Sequence, residues 1–160
     1  MVQPRTDEPA DRPPLYRTGG VGRITRFSET GDGRLLIALT GIMRFSIRRE
    51  LAVATPYRQV EADYQPFAHD WEPAAGVPAT TRAELEAQLK SFLEAHDLSA
   101  DWDAVHGAED ESLVNTLAMA SPFSTSERQA LLEAPTPADR AATLVALMTL
   151  AVPGGSDSLQ

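Results

Sequence analysis

Glycines, paired carboxylates and histidine–aspartate neighbours are the residues here whose types and spacing could support chemistry. Gly20 and Gly22, within "GGVGRITRF", supply the G-x-G of a dinucleotide loop, in which glycines let backbone amides approach a pyrophosphate. Thr25 stands where the third glycine belongs, and the residues that follow read as strand, not as the helix the motif needs. No G-x-x-x-x-G-K-[ST] occurs. In "DWDAVHGAEDES", Asp101 and Asp103 match the first and third ligands of a calcium loop. Val105 and His106 then occupy the fifth and sixth positions, and Ser112 replaces the terminal glutamate, so a solvated loop is expected there.

His69-Asp70 and His96-Asp97 each offer half of a triad or of a metal pair. Neither histidine, nor His106, has an i, i+4 histidine partner or a neighbouring G-x-S-x-G elbow, so surface or capping roles are expected. A Ser–Lys dyad could use only Lys90, the one lysine of the chain. It lies in "ELEAQLKSFLEA" between Glu86 and Glu94, at the spacing of helical ion pairs. Two such carboxylates hold the lysine proton, the opposite of what a catalytic lysine needs. We therefore expect no catalytic residue, no cofactor and no metal.

The chain has no cysteine, which removes disulfides, zinc thiolates and a cysteine nucleophile together. A formal charge of −9 opposes general affinity for nucleic acid, whose neutralisation takes clustered Lys and Arg. The arginines lean toward the first half of the sequence and the acids toward the second. No apolar run is long enough to span a bilayer, and "MVQPRTDEPADRPP" lacks the apolar core of a signal peptide. A cytoplasmic location is the default expectation, with no membrane partner.

The elements that would position these residues fall into two halves of different period. "RLLIALTG", residues 34–41, carries apolar residues on both faces and is expected to be a strand buried on two sides. In "IMRFSI", Met43, Phe45 and Ile47 alternate with Arg44, Ser46 and Arg48, as in a half-buried strand. "YRQVEADY", residues 57–64, is a third candidate, and Asp32-Gly33 marks a hairpin turn. Val21, Ile24 and Phe27 do not alternate strictly, which points to a bulge at Gly22.

After residue 80 the period becomes helical. Thr81 and Glu84 have capping-box spacing ahead of a stripe of Leu85, Leu89, Phe92 and Leu93. "ESLVNTLAMA" is a second helix, stopped by Pro122. Ser124 and Glu127 open a third, and Thr136, Pro137 and Asp139 open a fourth whose stripe is Leu144, Leu147, Met148 and Ala151. The expected organisation is a flexible or remnant strand over 1–13, a β part over 14–67, a linker over 68–80, a helical bundle over 81–152 and a tail over 153–160.

The order of these motifs resembles the Lon protease N-terminal, or substrate-binding, domain. The resemblance lies in the "VG.I..F" strand, the "DGR" hairpin, "L.GI.RF.I", "PY...V" and the helices from Leu113 to Met148. It covers the chain from Pro14 to about Ala151. It implies an α+β fold, a small PUA-like antiparallel β-barrel followed by a C-terminal helical bundle. It also implies a module that captures unfolded or partly folded polypeptides, without the ATPase or the Ser–Lys peptidase of full-length Lon enzymes.

Family members usually carry further strands upstream, so Met1 is read either as a misplaced start or as the start of a truncated member. Either case leaves an exposed sheet edge and, with it, strand exchange or a homodimer. Phe67, Trp71 and Phe123, at the junction of the halves or between helices, are the candidate polypeptide-binding residues, with plain packing as the competing role. Two other functions stay open. RNA binding, common among PUA-like barrels, is opposed by the charge. A peptidase is implied only by the family's usual name.

Overall fold

The computed structural model describes residues 1–5, 11–73 and 75–152. The expected tail over 153–160 lies outside them. The chain divides into two compact units, Met1–Pro73 and Ala74–Gln160.

The first unit is built on β1 (Thr18–Glu29), β2 (Leu35–Glu50) and β3 (Val60–Asp63), antiparallel in the order β1-β2-β3. Closure into a PUA-like barrel is not among these pairings. The turn between β1 and β2 is the expected one. Gly33 adopts φ +80°, a conformation that glycine takes without a Cβ penalty, and its N–H bonds the Thr30 carbonyl at 3.0 Å. Residues 1–5 run antiparallel to residues 14–20, with the Tyr16 N–H on the Gln3 carbonyl (3.0 Å) and the Gly20 N–H on the Met1 carbonyl (2.9 Å). A Cβ on Gly19 would fall 2.6 Å from the Met1 carbonyl oxygen and 2.8 Å from the Phe45 ring, so only glycine fits at this crossing.

The register shows how non-alternating apolar residues share a face. Val21 pairs with Met43 but Gly22 with Gly41, leaving Ile42 as an extra residue opposite the expected bulge at Gly22. Ile24 pairs with Leu39 but Arg26 with Ala38, leaving Thr25 extra in β1. The second bulge shifts the phase of β1, so Ile24 and Phe27, three residues apart, fall on one side.

β3 pairs only with residues 46–50 of β2 and is shorter than the 57–64 segment read from sequence. The chain then enters a 3-10 helix, Gln65–Trp71, over residues expected to end a strand and start the linker. The kink at Phe67 (φ −120°, ψ 22°) divides it into two short turns.

The second unit comprises α1 (Ala79–Ala95), α2 (Trp102–Gly107), α3 (Asp110–Ala120), α4 (Thr125–Glu133) and α5 (Pro137–Ala151). Leu85, Leu89 and Phe92 of α1 pack in a core with Leu113, Val114, Phe123, Leu131, Ala141, Leu144 and Met148. Both later capping boxes form, Ser124 with Glu127 and Thr136 with Asp139. The one at Thr81 does not. α1 starts three residues earlier, with Pro78 in place of Thr81 as the residue before it, and carries no side-chain cap. The acidic segment expected as a loop contains α2, because the Asp101 carboxylate accepts the Asp103 and Ala104 N–H groups and so starts a helix. Glu86 turns to Arg82 (2.6 Å) in place of Lys90, and Arg82 reaches on to Asp110 (2.8 Å) and the Val105 carbonyl (2.6 Å). No helix among the described residues is long and apolar enough to cross a membrane.

Candidate functional site

The expected strand "RLLIALTG" forms, but its burial is reversed. Residues 34–41 are exposed throughout, where two-sided burial was expected. The reason lies in the ladder. β3 reaches only as far as Ser46, and residues 1–5 reach only as far as Gly20. Beyond them, residues 22–29 and 35–41 stand as a two-stranded ribbon, with both edges unpaired among the described residues.

Cross-strand partners share a face, which sorts the ribbon's side chains. One face carries four rows, from the tip inward: Leu35 with Glu29, Ile37 with Phe27, Leu39 with Ile24, and Gly41 with Gly22. Its five apolar side chains are 42–60% exposed. The opposite face carries Arg23, Arg26, Ser28, Leu36, Ala38 and Thr40. The Thr25 hydroxyl donates to the Ala38 carbonyl (3.4 Å) on that side. The ribbon thus has the amphipathic pattern of a half-buried sheet, with the apolar half exposed among the described residues.

The base of the apolar face is closed by a charged cluster. Gly20, Gly22 and Ile24 alternate onto one side of β1, so Arg44, the partner of Gly20, lies on the apolar face too. Its guanidinium meets the Asp70 carboxylate at 2.7 Å (Nη2–Oδ1) and 3.0 Å (Nε–Oδ2), and its backbone N–H donates to Asp70 Oδ2 at 2.9 Å. Asp70 thereby takes over the edge of β2 where β3 has ended. Burial pushes the Asp70 carboxyl up, but the hydrogen bonds from Arg44 outweigh it and hold the group below its ordinary value. The Arg44 guanidinium also stacks on the Phe67 ring, 4.7 Å from its centroid.

The three aromatic residues proposed from sequence differ in exposure, and they fall in different units, Phe67 and Trp71 in the first and Phe123 in the second. Phe67 is half-buried under Arg44, at the base of the apolar face. Trp71, at the end of the same 3-10 helix, is 68% exposed. Phe123 is only 7% exposed, its ring 6.1 Å from that of Phe92 in the helical core, so it presents no surface. The ribbon was missed because the repeated apolar residues of "RLLIALTG" look the same in a buried strand and in an uncovered one.

Among the described residues, two of the histidines sit at a helix end and beside a carboxylate. His96 caps α1, its Nδ1 2.8 Å from the Phe92 carbonyl oxygen, and His106 lies 3.7 Å from Glu86. No group of three or more metal-ligating side chains occurs among the described residues. An open depression of about 370 Å³ lies between residues 14–17 and the Ile47–Val60 part of the sheet. Of its charged groups, Glu50 is held by Arg58 and by Arg12, which lower its carboxyl to about 2, and Arg48 pairs with Asp63.

The family model for the ATP-dependent protease La (LON) substrate-binding domain matches residues 2–149. The chain belongs to the Lon substrate-binding domain family. Two solved structures of that family have the same fold. A Lon N-terminal domain protein from Xanthomonas campestris is 20% identical, with a TM-score of 0.56 over 82% of this chain and 68% of that one. The N-terminal domain of the Mycobacterium avium complex Lon protease is also 20% identical, with a TM-score of 0.56 over 95% of this chain and 75% of that one. No curated protein matches the chain at a comparable level. The matched region of this Lon-type chain is the substrate-binding domain alone; the match includes neither an ATPase nor a protease domain.

Proposed function

We propose that this Lon-type domain is a non-catalytic module that binds exposed apolar segments of unfolded or partly folded polypeptides. The observation that carries this reading is the uncovered apolar face formed by Ile24, Phe27, Leu35, Ile37 and Leu39. At these exposures it offers about 500 Å² of contiguous apolar surface, within the range of the largest, often functional, patches on monomers. An extended client fits it twice over. Alternate side chains can pack on the face, and a client backbone can pair with either free edge, as in strand addition. Trp71, exposed near the base, extends the reading to the 3-10 helix, whereas Phe123 takes no part in it.

Specificity on such a surface is low by construction. Apolar contact and main-chain pairing reward any segment able to extend, which is what capture of damaged or unfolded chains requires. The test is calorimetric titration with reduced, carboxymethylated lactalbumin, a permanently unfolded polypeptide. Saturable binding with a negative heat-capacity change supports the reading, since burial of apolar surface gives that sign. Absence of binding to several such polypeptides overturns it.

A further inference from the structure

The four rows of the apolar face are unequal in height. The tip row carries Leu35, the two middle rows carry Ile37, Phe27, Leu39 and Ile24, and the base row is Gly41 with Gly22. A Cβ on Gly41 would meet nothing within 4 Å, whereas one on Gly22 would meet the Leu39 side chain at 3.2 Å, so the open space in the base row lies over Gly41. The face thus ends in a protruding leucine at one end and a recess at the other. Rows on one side of a strand recur about every 6.8 Å, so the whole strip is about 20 Å long.

We propose that a second copy of the chain occupies this face, with the two ribbons packed antiparallel about a two-fold axis between the middle rows. That operation lays each Leu35 over the recess at the partner's Gly41 and each Ile37–Phe27 row over the partner's Leu39–Ile24 row. A two-fold interface must be self-complementary, and a strip with a knob at one end and a recess at the other meets that condition. The two sheets face each other at about 10 Å, aligned within the twist of each sheet. Arg23 and Arg26 lie on the opposite face, and the two-fold sets Glu29 of the tip row over the partner's Gly22, next to the row that carries the partner's Arg44, so like charges are not brought together. Two such faces bury about 1,000 Å² in total, at the lower edge of specific interfaces, which makes the dimer reversible and concentration-dependent. A hairpin of two strands alone is marginal in water, and the second copy supplies the missing layer.

This surface is the one proposed above for polypeptides, so client and second copy compete for it. The dimer is nevertheless argued from the shape of the face and not from client binding. Sedimentation velocity from low to several hundred micromolar protein tests it, on wild type, Ile37→Lys, Ala38→Lys and Gly41→Val. All three substituted positions are solvent-facing, so the fold, checked by circular dichroism, should be retained. Wild type should shift toward twice the monomer mass as concentration rises. Ala38→Lys, on the opposite face, should behave as wild type. Ile37→Lys and Gly41→Val should each weaken association by about tenfold or more. The Gly41 variant is decisive because it adds apolar area while filling the recess.

The proposal is overturned by any of four results: a wild type that stays monomeric throughout, an Ile37→Lys that associates normally, an Ala38→Lys as disruptive as Ile37→Lys, or a Gly41→Val that associates as well as wild type. The calorimetric titration separates the two ideas. Client binding by a strictly monomeric protein removes the dimer and leaves the function, whereas a dimer that binds no unfolded polypeptide does the reverse.

Discussion

Arg44 and Asp70 form a two-point contact in which both side chains are largely shielded, 8% and 14% exposed, and the Arg44 backbone N–H completes it. The pair fixes where the sheet stops being covered. On its inner side β3 continues the ladder, and on its outer side the ribbon runs free. Removing the Asp70 carboxylate takes the ion pair and the backbone hydrogen bond from a largely buried arginine. Asp70→Ala is therefore expected to destabilise the first unit by about 3 kcal/mol. Urea unfolding followed by hydrogen exchange of the β2 amides reads that unit separately.

Acid should act on the same unit through its lowered carboxyls, the more exposed Asp32 and Glu61 and the more shielded Asp70 and Glu50. Burial opposes ionisation of Asp70, but the Arg44 hydrogen bonds prevail; Glu50 is held at about 2 chiefly by Arg58 and then Arg12. Both values lie below those of the unfolded chain, 3.8 for Asp and 4.5 for Glu. Their contribution is complete above those unfolded values and is lost as pH falls through the folded ones. Urea midpoints should be level from neutral pH down to about 5 and should fall steadily below about 4.5. Midpoints that rise on acidification through that window would contradict the ion pairing.

The glycines of the opening stretch should separate sharply on substitution. A Cβ at Gly19 collides with the Met1 carbonyl, Val2 and the Phe45 ring, whereas a Cβ at Gly20 meets nothing within 4 Å. Gly19→Ala is expected to cost about 1–3 kcal/mol, and Gly20→Ala less than about 0.5 kcal/mol. Thermal melts of the two variants side by side check the difference.

Aromatic truncation should distinguish packing from surface. Phe123→Ala leaves a void beside Phe92 in the helical core and should cost about 3–5 kcal/mol. Trp71→Ala, at a site 68% exposed, should change stability by less than about 0.5 kcal/mol. Chemical denaturation monitored by helical circular dichroism reports the first, and the client titration reports any role of the second.

The helical unit was legible in the sequence because its signals are local. Capping boxes at Ser124 and Thr136 and the stripes through Leu89 and Leu144 need only neighbours within a few residues. Thr81 misled because Pro78, already fixed in an extended conformation, starts α1 a turn sooner. In the β unit the turn at Gly33 and the bulge opposite Gly22 were equally local. Burial of "RLLIALTG" was not, since it depends on where β3 and residues 1–5 end, and those ends are set by long-range contacts such as Arg44 with Asp70. The proposed client surface was hidden for the same reason. Apolar composition marks a residue as wanting cover without saying whether the chain itself provides it.

The account's central claim is that clients are held on the β1–β2 ribbon. Hydrogen–deuterium exchange of the chain with and without reduced, carboxymethylated lactalbumin tests it most directly. Slowed exchange concentrated in residues 22–29 and 35–41 is the predicted result. Protection confined to the helices between Ala79 and Ala151, with the ribbon amides unchanged, would contradict it.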